Sequence, residues 1–181
     1  EEIGTPVVTC QSGGAAVMDR SVVYSNTSGN TWTAVYTANP SDTDGVVTYS
    51  IAFSDIAANA GNPVTSGSGS VTADTTVPTL SGVSISSNNT NRSMATPTDV
   101  VTLSFTASET IQSPTVTFES GGAAVNGNIT VSNTSGNNWI ASFMAASNDT
   151  AGPVTYNISF KDSVGNVGTA VTATNDSSYV A

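Results

Sequence analysis

The chain has 181 residues, 13 acidic and 3 basic side chains, a net charge of −10 and no histidine. That balance repels polyanions and argues against nucleic acid as a partner, and the absence of imidazole excludes Ser/His/Asp and Cys/His catalysis as well as His-based metal chemistry. Thr, Ser, Asn, Val, Ala and Gly dominate while Leu occurs only as Leu80 and Leu103, the vocabulary of strands and tight turns.

No apolar run approaches the length of a membrane span, so no membrane insertion is expected. With no signal peptide, anchor or initiator Met at Glu1, the chain is expected to be a piece of something longer.

The first predicted strand lies in GTPVVTCQSGGAAV from Gly4, and it returns as QSPTVTFESGGAAV from Gln112. Cys10, the lone cysteine, aligns with Phe118 and is expected to be a buried hydrophobe. The turn SNTSGNTWTA from Ser25 returns as SNTSGNNWIA from Ser132, after a one-residue slip in the intervening loop. Trp32, Ala34, Tyr36 and Ala38 then share one face, as do Val47, Tyr49, Ile51 and Phe53 in the next strand. These alternations place both Trp32 and Trp139 on an inward, core-forming face.

A Pro-containing linker, DTTVP from Asp74, separates this copy from the second. There the spacing predicts strands near 80–86, 100–107, 114–119, 128–132, 138–145, 153–161 and 168–174. Seven short alternating strands with no helical period predict an all-β fold of tandem immunoglobulin-like antiparallel sandwiches with Greek-key connections. Tyr156, and Tyr49 in the first copy, occupy the place of a tyrosine corner. The expected domains are 1–74 and 75–181. Because Glu1 aligns with Glu109, the first domain lacks its first two strands and needs completion, by adjacent repeats of a longer chain or by a neighbouring subunit.

With the residues aligned, the chain resembles the bacterial immunoglobulin-like (Big-type) tandem repeats of large secreted or surface-attached, adhesin-like proteins. The carriers are DTTVPTLSGVSISS from Asp74, VVTLSFTASE ending at Glu109, and the closing hairpins FKDSVGNVG and FSDIAANAG. The resemblance implies an extracellular or cell-surface location, a stalk or spacer role, and calcium at joints between domains in some members. The candidate calcium ligands are Asp55 and Asn59, Asp162 and Asn166, and the linker residues Asp74 and Asp176. A hard cation wants six to eight oxygens, and such loops supply several; against this, Asp and Asn also make turns unaided, and the spacing matches no EF-hand loop.

Enzymatic function is not expected. Glu109 and Glu119 form the one formal carboxylate pair, and Gln11 stands where the first copy would repeat Glu119. Lys161 beside Asp162 suggests an isopeptide cross-link, but Ser54 replaces it in the first copy. The alternative function is a carbohydrate- or surface-binding module using the outward aromatics Tyr24 and Tyr179, or a phage decoration domain.

Overall fold

A computed structural model describes residues 1–17 and 22–181; the slip between the two copies falls partly on 18–21, outside the described residues. Those residues hold no helix, and every strand pairing among them is antiparallel. The chain divides into two compact units, Glu1–Thr76 and Val77–Ala181.

The first unit contains β1 (Val7–Ser12), β2 (Ala15–Ala16), β3 (Val23–Ser28), β4 (Thr31–Val35), β5 (Gly45–Ala52) and β6 (Thr72–Ala73). One sheet runs β2-β1-β5-β6, and β3 and β4 form a separate hairpin. The β1–β2 turn requires two left-handed residues, and Gly13 and Gly14 supply them at φ 55° and 80°, the backbone of a two-residue hairpin that matches strand twist.

The second unit contains β7 (Leu80–Ser87), β8 (Val100–Ala107), β9 (Thr115–Ser120), β10 (Ala123–Ala124), β11 (Thr130–Ser135), β12 (Asn138–Met144) and β13 (Val154–Ser159). Its two sheets run β11-β12-β8-β7 and β10-β9-β13. Strict alternation along β8 buries Val101, Leu103, Phe105 and Ala107. Across the gap between the sheets, the rings of Phe118 on β9 and Phe143 on β12 lie 4.9 Å apart. The core of this unit therefore lies between two facing sheets, each large apolar side chain contributing about 1.5–3 kcal/mol of burial.

Several expectations need correction. The predicted strand at 168–174 does not form: Val167 and Val171 make single bridges to Lys161 and Ile158, and the segment is otherwise irregular. The chain beyond it runs along β7 instead: Asn175 donates its backbone N–H to the Val83 carbonyl (2.8 Å), its Oδ1 accepts the Val83 N–H (2.8 Å) and Ser178 Oγ accepts that of Ile85 (2.9 Å), covering the outer edge of β7. The tyrosine-corner bond is not made; the Tyr156 hydroxyl is buried without a hydrogen-bond partner. Cys10 is only half-buried, and Ala34 and Ala38 are exposed. Among the described residues the first unit contains no counterpart of β7 and β8 to cover these positions, and β4 ends at Val35, whereas β12 continues to Met144.

Candidate functional site

The chemistry-bearing side chains of this protein are carboxylates in loops, and the structure assigns most of them to the backbone. Three loops use one device. Asp42, Asp99 and Asp149 stand shortly before β5, β8 and β13. Each donates its N–H to the carbonyl three residues earlier, on Asn39, Thr96 and Ala146. Each carboxylate accepts the N–H of that same residue, at 2.8, 2.7 and 2.8 Å. This reciprocal clasp ties the loop shut where the chain turns into a strand. Its signal, an Asp three residues after a loop residue and just before a strand, is visible in sequence, but Asp is too common in turns for the pattern to stand out.

Asp44 accepts the N–H of Thr75 (2.7 Å) and the Thr75 hydroxyl (2.9 Å), holding the end of the first unit onto the loop before β5. Its carboxyl is held below the usual range, first by the Thr76 hydroxyl and then by Thr75.

The predicted ligand pairs Asp55/Asn59 and Asp162/Asn166 are each brought together. Asp162 is fully buried. Its Oδ1 accepts N–H bonds from Val164 (2.9 Å), Gly165 (2.6 Å) and Asn166 (2.9 Å), and Oδ2 accepts the Asn166 side-chain N–H (2.7 Å). Burial pushes the Asp162 carboxyl up, but the donors from Asn166, Gly165 and Val164 outweigh it and the net direction is downward. Asp55 repeats the arrangement with fewer donors, accepting the Asn59 backbone (2.8 Å) and side-chain (2.7 Å) N–H; the side-chain bond is the main reason its carboxyl is also lowered. Asp74 Oδ1 accepts the N–H of Thr76 (3.1 Å), and Asp176 Oδ1 that of Ser178 (2.9 Å), each within its own turn.

A hard cation needs lone pairs directed at it. The Asp162 and Asp55 carboxylates spend part of their acceptor capacity on N–H donors of their own turns, and a cation there would share what remains.

Tyr24 does not present its hydroxyl outward: it accepts the Val8 N–H (2.9 Å) and donates to the Val8 carbonyl (3.2 Å), covering the free edge of β1. Tyr179 is 64 % exposed. Glu119 faces solvent on β9, Glu109 is half-buried, and Lys161 is exposed. Trp32 and Trp139 are both half-buried, Trp139 packing against the second unit's core. Burial raises the Cys10 thiol above its ordinary value, away from the thiolate that reactivity needs. In the second unit, a cleft of about 380 Å³ is lined by Met94, Pro97, Phe143 and Val154 with Asp149 in its wall. That carboxylate accepts the N–H groups of Asn126 (2.7 Å) and Ala146 (2.8 Å). No family model, curated protein or solved structure matches the chain.

Proposed function

We propose that this chain is a non-enzymatic structural segment of an extracellular stalk, adhesin or filament, built from immunoglobulin-like sandwiches in tandem. The observation that carries this reading is the strand order of the second unit. Labelled A to F in chain order, with the two-residue β10 set aside, β7 to β13 give sheets D-E-B-A and C-F, an order that supports a constant-type immunoglobulin reading in which the irregular segment 168–174 stands for the last strand. Its outer faces, rich in Thr, Ser and Asn, and its internally bonded carboxylates give a surface with few groups aimed at a substrate. A role carried by shape and mechanical continuity suits that surface better than chemistry does.

Pulling on the chain between its ends tests the mechanical role. The second unit is expected to unfold in one cooperative step that releases about 350 Å of chain, the extended length of its residues. Gradual yielding without a discrete step overturns a load-bearing function. The carbohydrate-binding alternative is checked on a glycan array: specific binding that is lost in Tyr179→Ala would replace this reading.

A further inference from the structure

The two units supply an internal comparison of the same surface, covered in one and open in the other. In the second unit, β12 pairs with β11 on one side and with β8 on the other, through seven residues from Asn138↔Thr106 to Met144↔Val100. In the first unit β4 pairs with β3 alone. Its other edge has no strand beside it among the described residues.

The effect on burial can be read at matched positions. Ala141, opposite Leu103, is fully buried, and its counterpart Ala34 is exposed. Phe118, Ile158 and Phe160 are buried at 2 %, 0 % and 6 % exposure, whereas Cys10, Ile51 and Phe53 at the same positions are only half-buried. The closed cluster of buried apolar side chains runs from Val83 to Val180, all within the second unit.

We propose that the free edge of β4, with the apolar face behind it, is a docking site for a β-hairpin of the kind formed by residues 77–108, donated by a further repeat of this type. The proposal rests on the immunoglobulin-like reading and extends it to a partner. The second unit specifies the occupant's chemistry. Its inner strand runs antiparallel to β4 and carries apolar residues at alternate positions, as Val101, Leu103, Phe105 and Ala107 do, with Thr and Ser between them. By equivalence of register, its leucine position lies opposite Ala34, where a small side chain leaves room for a large one. Main-chain bonds to the edge supply affinity and the alternate pockets supply selectivity, as in strand addition generally.

The test adds a copy of residues 77–108 directly ahead of Glu1 in the full chain, so that Ser108 of the added copy meets Glu1 as the resident Ser108 meets Glu109. Amide hydrogen exchange is followed along both units, and sedimentation reports the association state. The expected result is that β4 and its neighbours gain protection of about a hundredfold or more, that Leu103→Asp in the added copy abolishes the gain, and that the second unit is unchanged. The proposal is overturned if the first unit gains nothing, if the gain survives Leu103→Asp, or if the unmodified chain already protects β4 as strongly as β12. Self-association of the unmodified chain that protects β4 also overturns it, since that would assign the edge to a second copy. Failure of the sandwich reading gives a separate result, rapid exchange in β7 and β8 of the second unit.

Discussion

At the scale of single residues, the same side chain experiences two environments. Ile158 is fully buried and Ile51 only half-buried, although both follow a Tyr by two positions in equivalent strands. Ile158→Ala is expected to cost about 2–5 kcal/mol, and Ile51→Ala about 1 kcal/mol because less apolar area leaves water there; urea unfolding of the two variants measures both. The aspartates set the pH response. Asp44, Asp55, Asp99, Asp149, Asp162 and Asp176 are all shifted below 3.8. Depressed carboxyls contribute stability that is complete above the unfolded value and is lost as pH falls through the folded ones. The melting temperature should therefore be flat between about pH 5 and 8 and fall below about pH 4, with a shallower acid fall for the second unit in Asp162→Asn. At the alkaline end the sign reverses. Burial first, then the Asp176 charge, pushes Tyr156 up to about 12 from 10.0, so its contribution is present below pH 10 and lost as pH rises through that window.

Elements form where alternation meets a partner strand. β8 is read correctly from VVTLSFTA because every second residue is apolar and both its edges are paired. The segment 168–174, GTAVTAT, shares the alternation with Thr but has Val171 as its one large apolar residue, and it makes only an isolated bridge, its neighbourhood being tied down by Asn175 and Ser178. Propensity alone does not separate these cases, because strand formation depends on a neighbour. The closing hairpin needs a glycine for a different reason. A Cβ on Gly168 would overlap the ring of Phe160, as one on Gly61 would that of Phe53. Gly168→Ala should destabilise the second unit by about 1–3 kcal/mol, the cost of overpacking, as a lowered denaturant midpoint would show. The Asp162 and Asp55 carboxylates fold back on the same hairpins, so added calcium or a chelator is expected to leave the melting temperature unchanged; a rise with calcium would show that ligation displaces these turn bonds.

For the molecule as a whole, stability is expected to be uneven. The second unit holds a closed two-sheet core, whereas in the first the buried hydrophobic residues among those described are Val17 and Ala73. A unit that leaves its apolar face in water forgoes most of the term that offsets chain entropy. Two unfolding transitions should result, the first assigned to residues 1–76 by the fluorescence of Trp32 in a Trp139→Phe background. A single coincident transition for both units would contradict this.

Much of this protein follows from its sequence alone. Period-2 apolar alternation, turn glycines and the recurrence of SNTSGN and GGAAV determine an all-β chain, its hairpins and the inward faces of β8, β12 and β13, because these are local properties of backbone sterics and side-chain polarity. Asp55 with Asn59 and Asp162 with Asn166 stood out in the sequence because they recur in the two closing hairpins, although as candidate ligands and not as hydrogen-bonded pairs. Tertiary structure decided whether an inward face is buried, since burial of Ala141 and exposure of Ala34 depend on β8 lying beside one strand and not the other. It also decided that Tyr24 closes an edge and that Asp44 holds the Thr75 backbone 31 residues further on. These outcomes rest on which groups distant in sequence come within hydrogen-bonding or packing distance, and no local pattern encodes that.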